Sequence, residues 1–287
     1  MKRIGFMQGA LAFAVPRGIF ASSLQAEIER AALASTGTVG VFARSMAPGP
    51  AIEYHAGEPF PTASVIKLVI LVALYRRAER DPGLLSRQIV TPDSEVVDGS
   101  PLFDPAPHDA EFSVMTLARA MIDQSDNTAS NRLIDVLGFE QVNETARACG
   151  LHDTTLKRHF MDVHAMLHHS ENVSTPRDIG TLLYQIERGW REGLRTVASP
   201  RSCRHMIDIL LGQEDRDKIV RGLPPGVPVA NKTGEITNVR NDAAIVDPLG
   251  GSPYILVVFT KDLGDFSLGV RAIRRIARAV HEQLYVG

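Results

Sequence analysis

Phe60-Pro61-Thr62-Ala63-Ser64-Val65-Ile66-Lys67-Leu68-Val69-Ile70-Leu71-Val72-Ala73-Leu74-Tyr75 is the stretch on which the reading of this chain turns. A nearly unbroken apolar run, preceded by Pro59 and followed by Arg76-Arg77, predicts a helix buried on most sides. Ser64 and Lys67 interrupt it near its start. Three residues apart on a helix, they share a face. An ammonium buried beside a hydroxyl is costly unless it serves chemistry. A desolvated lysine favours its neutral form and can take the proton of a serine, and the positive end of the helix favours the oxyanion that follows.

On either side the hydrophobic period changes. Residues 23–36 read as an amphipathic helix, and 38–44 and 51–55 alternate like antiparallel strands around the turn Met46-Ala47-Pro48-Gly49-Pro50. Helical spacing then dominates at 64–80, 113–123, 127–137, 139–149 and 175–188, broken by the proline-rich stretch 99–107. Strand patterns return at 227–232, 242–247 and 254–261, before a last helix. The fold class expected is α+β: an antiparallel sheet built from both ends of the chain, flanked by the N- and C-terminal helices, with an inserted all-helical domain. The sheet domain is assigned to 22–61 and 212–287 and the helical domain to 62–211, with a cleft where they meet.

With 287 residues, 44% of them hydrophobic, the chain can bury a large core. Thirty-one basic residues against thirty-three acidic ones leave no global field to attract nucleic acid or an anionic membrane. Arg271, Arg274, Arg275 and Arg278 share one face of the terminal helix, read as its solvated side. Residues 1–21 resemble a secretory signal: Lys2 and Arg3, an apolar stretch from Ile4 to Val15, and small residues around Ala21 and Ser22. That stretch is too short to span a bilayer comfortably, and no other segment could, so a periplasmic or secreted monomer without stable membrane insertion is expected. Cys149 and Cys203, distant in sequence, carry little information.

Two further motifs fall where the cleft should be. Ser125-Asp126-Asn127 stands in a turn between two helices, and Lys232-Thr233-Gly234 closes an apolar strand. Taken singly, the first is an ordinary helix cap and the second a strand end with a turn glycine. Together with Ser64-x-x-Lys67 they are expected by chance on the order of once in a thousand chains.

In this combination the sequence resembles the class A β-lactamases, within the penicillin-recognising serine hydrolases. The resemblance also covers Met115 to Gly138, Thr175-Pro176 and the run from Arg221 to Gly226. It implies a β-lactamase/transpeptidase-like fold, a small-molecule β-lactam or related acyl substrate, and no cofactor or metal. It implies Ser64 as nucleophile, Lys67 as its base, and Ser125 as proton relay to the leaving nitrogen. Asn127 would hold the substrate's side-chain amide, and Lys232, Thr233 and Gly234 would line the site for its carboxylate, with Arg240 as a second carboxylate ligand. The backbone amides of Ser64 and Glu235 would form the oxyanion hole.

One feature of the family is missing. The loop before Thr175-Pro176 has no glutamate where these enzymes carry the one that activates the deacylating water. Asp162, 37 residues after Ser125 by subtraction (162 − 125), is the nearest acid and is assigned as the replacement base, with a loop anchor as the other reading. Glu171 is expected to pair with a basic residue of the loop. His164 and His168, four apart, could share a metal but read as exposed loop residues. The activity expected is slow β-lactam hydrolysis through an acyl-enzyme. An esterase or D-alanyl-D-alanine peptidase-like relative is the alternative, and a non-catalytic β-lactam-binding protein a third.

Overall fold

The computed structural model describes residues 17–104, 108–168 and 170–285. Most of the signal-like segment 1–21 lies outside these residues; Ala21 and Ser22 fall inside the first helix, α1 (Arg17–Ala34). Strands β1 (Thr38–Ser45) and β2 (Ile52–Tyr54) form the predicted hairpin, with Val41 opposite Tyr54. They join β7 (Val229–Ile236), β8 (Val239–Val246) and β9 (Tyr254–Lys261) in a five-stranded sheet of order β2-β1-β9-β8-β7. Every pairing is antiparallel, and β1 from one end of the chain runs along β9 from the other, Thr38 opposite Lys261 through Ser45 opposite Tyr254.

Alternation decides what each face of the sheet meets. In β9, Tyr254, Leu256 and Val258 belong to the core formed with α1 and α10 (Phe266–Leu284). Ile255, Val257 and Phe259 belong to the core shared with the inserted helices. Buried on both faces, the strand reads as the continuous apolar run seen in the sequence. On α10 the buried residues Ile273, Ile276, Ala277 and Val280 follow helical spacing, and Arg271, Arg275 and Arg278 are exposed.

The inserted region comprises α2 (Lys67–Ala78), α3 (Val114–Asp123), α4 (Asn127–Leu137), α5 (Phe139–Ala148), α6 (Val163–Leu167), α7 (Pro176–Arg191) and α8 (Pro200–Leu210). It is not purely helical: β4 (Gln88–Thr91) pairs with β5 (Ala110–Ser113), and β3 (Phe60–Pro61) with β6 (Val173–Ser174). A short helix, α9 (Ile219–Gly222), leads back to the sheet. Helix α2 is the hub, with Lys67 to Tyr75 buried without a break. Truncating Leu71 to alanine there would cost about 2–5 kcal/mol, because a cavity in so closed a site cannot collapse. Helix α7 lies against the sheet closely enough that a Cβ on Gly180 would come 2.1 Å from Phe42 Cδ1, so only glycine fits. Cys149 and Cys203 are both free thiols in this core.

Candidate active site

Ser64 does not sit in α2 itself but in a 3-10 turn, Ala63–Ile66, that runs into it. The turn is entered through Ala63 at φ +46°, a left-handed conformation that costs a non-glycine residue on the order of 1–3 kcal/mol. Buried hydrogen bonds hold it there. The Thr62 amide and hydroxyl both donate to Asn172 O, at 2.9 and 3.0 Å, and Asn241 Nδ2 donates to Pro61 O at 2.9 Å. The edge strand β7 closes the other side. A Cβ on Gly234 would lie 2.7 Å from Thr62 O and 3.1 Å from Ser64 N, so glycine lets the strand reach the serine amide. As an edge strand, β7 offers unpaired backbone groups to the cleft, and Glu235 follows directly.

Lys67 is fully buried, and its Nζ reaches Ser125 O at 2.6 Å, Asn127 Oδ1 at 3.1 Å, Ser125 Oγ at 3.3 Å and Asp126 O at 3.4 Å. Ser125 can offer both oxygens because its φ of +60° turns the backbone back on itself, while Asp126 caps α4 by accepting from Ala129 N. Burial, reinforced by the charge of Lys232 and opposed by Asp126, drives the Lys67 pKa well below its ordinary value. A neutral amine has two protons for these four acceptors and keeps a lone pair for the proton of Ser64. Lys232, also fully buried, donates to Ser125 Oγ at 3.1 Å and to Thr233 O at 2.9 Å, and burial pushes its pKa down to about 7. Ser125 Oγ therefore bridges two lysines, a route for a proton in either direction.

A cavity of about 520 Å³ opens over these groups. Ser64, Ser125, Asn127, Thr233, Gly234 and Glu235 line it, and Lys67 and Lys232 lie buried beneath. Asp162 and Arg240 are not among its lining residues. Asp162 accepts from Ala165 N at 2.9 Å and caps α6, the loop-anchor role that its type also allows. Arg240 lies behind this lining: its Nη1 donates to Ile236 O and Val239 O at 2.9 and 2.7 Å, its Nε lies 3.7 Å from Glu235, and its guanidinium lies 4.2 Å over the Phe266 ring.

The residue facing Lys67 from the loop is Phe160, with its ring centroid 4.3 Å from Nζ. Asn131 grips it by both backbone groups, accepting from Phe160 N at 2.8 Å and donating to Phe160 O at 3.0 Å. Counting from Ser125 missed Phe160 by two residues. The signal that could have found it is Asn131, one turn beyond Asn127 on the same helix. Glu171 lines the cleft and pairs with the loop's Arg158 at 2.7 Å. Asn172 Oδ1 accepts from the amides of Lys157 and Arg158, at 2.7 and 3.1 Å, and ties the loop to its own neck. A third residue that sequence reasoning passed over is Lys218, which lies buried between Asp215 and Glu235 at 2.5 and 2.6 Å.

Comparison with known proteins finds relatives over most of the chain. A β-lactamase of Streptomyces lavendulae is 30% identical over 264 residues, 88% of this chain and 82% of that one. The crystal structure of a β-lactamase from Sphaerobacter thermophilus superposes with a TM-score of 0.82 at 29% identity, covering 92% and 97% of the two chains. A leucine-to-glutamate mutant of PBP-A, in acyl-enzyme complex with penicillin G, superposes with a TM-score of 0.81 at 26% identity, covering 91% and 96%. The sequence matches the family described as the beta-lactamase enzyme family over residues 23–284, and the chain belongs to it.

Proposed function

We propose that this protein is a serine hydrolase that opens β-lactams and related acyl compounds through an acyl-enzyme on Ser64, and that it releases the acyl group slowly. The observation that carries the reading is the position of Ser125 Oγ between Lys67 and Lys232, at 3.3 and 3.1 Å, beside the serine on the cleft wall. Ser64 Oγ attacks the acyl carbonyl as its proton passes to the neutral Lys67 amine. The oxyanion forms against the amides of Ser64 and Glu235, at the positive end of the turn leading into α2. Ser125 hands a proton to the leaving nitrogen and is resupplied by the lysines on either side. Asn127, whose Oδ1 is already engaged by Lys67, borders the acyl group's side of the cleft.

Slow release follows from the loop. Deacylation needs a base in reach of a water against the acyl carbonyl. The loop side chain facing Lys67 is a phenyl ring, and Glu171 is held by Arg158. The esterase-like alternative shares every step up to that water. In its favour, an activated ester asks less of a weak base than an amide does.

Export from the cytoplasm and action as a monomer belong to the same reading. The signal-like character of residues 1–21 supports the first, and among the described residues no helix is long and apolar enough to cross a membrane. Ser64→Ala tests the core of the proposal. It removes a single oxygen from a partly buried position, so the fold should survive while covalent labelling by penicillin, read by intact-protein mass spectrometry, is abolished. Labelling that persists in the variant would place the nucleophile elsewhere.

A further inference from the structure

We infer that His164 and His168 form a chelating site for a late first-row transition-metal dication of the Ni²⁺ or Zn²⁺ class, and that the ion staples the loop at the rim of the cleft. The site is separate from the chemistry at Ser64 and does not rest on the acyl-enzyme reading. The two histidines lie one turn apart at α6, and the His168 amide donates to His164 O at 3.3 Å, which closes the turn between them. Side chains four apart meet on one face of a helix. Their ring centroids are 4.6 Å apart, with the rings tilted by 57°. A dication bonds an imidazole nitrogen at about 2.0–2.1 Å, and with two such bonds roughly at right angles it holds the ring centroids about 4.5 Å apart. The backbone thus sets the spacing before an ion arrives.

Nothing else claims these rings. Among the other exposed histidines, His55 stands 3.8 Å from Glu58, and His108 is paired with Asp93. On the same loop His159 Nε2 lies 3.0 Å from Asp135. His164 and His168 are exposed, and neither side chain makes a hydrogen bond or ion pair among the described residues. Asp162, the nearest acid in sequence, accepts from Ala165 N at 2.9 Å. No third histidine, cysteine or acid completes the site among the described residues, so the remaining coordination positions are left to water. Two imidazoles without a carboxylate suit nickel, copper or zinc, whereas magnesium and calcium take oxygen ligands.

Position gives the site a consequence. Phe160 and Met161, which line the cleft, come immediately before Asp162 and α6, and Glu171, which also lines it, follows shortly after His168. Helix α6 is little more than one turn long, and Val163 and Leu167 on it are exposed, so little apolar burial holds it closed. A chelate across that turn is broken when the turn opens, so an ion that needs both rings stabilises the closed loop by mass action.

Titration calorimetry of the full chain with Ni²⁺, in a buffer that does not chelate, tests this. The wild type should bind Ni²⁺ saturably and should not bind Mg²⁺. His164→Gln and His168→Gln should each weaken Ni²⁺ binding by roughly tenfold or more, because joining two ligands strengthens binding by about 10² to 10⁴ over one. His159→Gln, on the same loop but paired with Asp135, should leave the affinity unchanged. Ni²⁺ at about a hundredfold excess over Kd should slow hydrogen exchange of a peptide spanning 162–168 by up to roughly a hundredfold in the wild type, and in neither variant at the same concentration. Both side chains are exposed, so the variants keep the fold, and an unchanged Tm without metal checks this. Wild-type protein that does not bind Ni²⁺, or affinity retained in either variant, would overturn the chelate. So would equal binding of Mg²⁺. Ni²⁺ bound with the exchange of α6 unmoved would overturn the staple.

Discussion

Replacing Phe160 by glutamate should turn a slow acyl-enzyme into a turnover enzyme. The ring is 8% exposed and its centroid lies 4.3 Å from Lys67 Nζ, so a carboxylate on the same Cα, held by Asn131 from both sides, falls next to the lysine. The substitution loses the apolar burial of the ring, about 1.5–3 kcal/mol. Against this, opposite unit charges at that separation attract by about 4 kcal/mol at an effective dielectric of 20. The variant should fold, with stability near that of the wild type.

The same 4 kcal/mol raises the Lys67 pKa by roughly three units, which slows proton abstraction from Ser64. The new carboxylate can activate water, a gain of about 10² to 10⁴ in deacylation. Stopped-flow measurement with a chromogenic cephalosporin separates the two effects. The wild type should show a burst of one equivalent and a slow steady state. Phe160→Glu should show no burst, a slower first turnover and a faster steady state. Phe160→Leu, which adds no base, should keep the burst. Two outcomes would refute the reasoning: fast wild-type turnover without a burst, or a glutamate variant whose slow phase is unchanged.

Other substitutions sort structural from chemical roles. Asp162→Asn should leave deacylation unchanged within about twofold, because asparagine caps a helix about as well as aspartate; accumulation of acyl-enzyme in this variant would restore Asp162 as the base. Arg240→Ala should lower the midpoint of thermal unfolding, through loss of two hydrogen bonds and the Phe266 contact, while KM for carboxylate substrates moves by less than about twofold; a large rise in KM confined to those substrates would return Arg240 to the binding site. The third concerns Glu187, buried in α7, with one oxygen 2.5 Å from Arg191 Nε and the other without a partner among the described residues. Burial pushes its pKa from the ordinary 4.5 up to about 7. The fold therefore favours the protonated acid: that stabilisation is complete below pH 4.5 and is lost as the pH rises to about 7. The loss amounts to about 3 kcal/mol. Urea unfolding across this range should show the slope in the wild type and a flatter profile in Glu187→Gln; equal slopes would place the titration elsewhere.

The sequence by itself determined whatever is written locally and periodically. The unbroken apolar run predicted α2, and alternation predicted the β1–β2 hairpin and the three C-terminal strands. Three short motifs identified Ser64, Lys67, Ser125, Lys232 and Thr233, which the fold does bring to one cleft. They were legible because Ser64 and Lys67 lie one turn apart, and because each other motif sits at the end of a regular element whose position the core fixes.

What only the tertiary structure decided is which side chains face those residues. Phe160 reaches Lys67 through a loop whose length is free to vary, so counting residues landed on Asp162. A loop's register is set by where Asn131 and Asn172 hold it, not by its spacing. Arg240 was expected at the substrate's carboxylate, and Lys218 is an ordinary surface cation in sequence. Folding sets Nη1 of the first against two carbonyls and its guanidinium over a ring, and buries the second between two acids. Nor does the sequence state the charge of Lys232, since burial there removes the water that would stabilise its charged form.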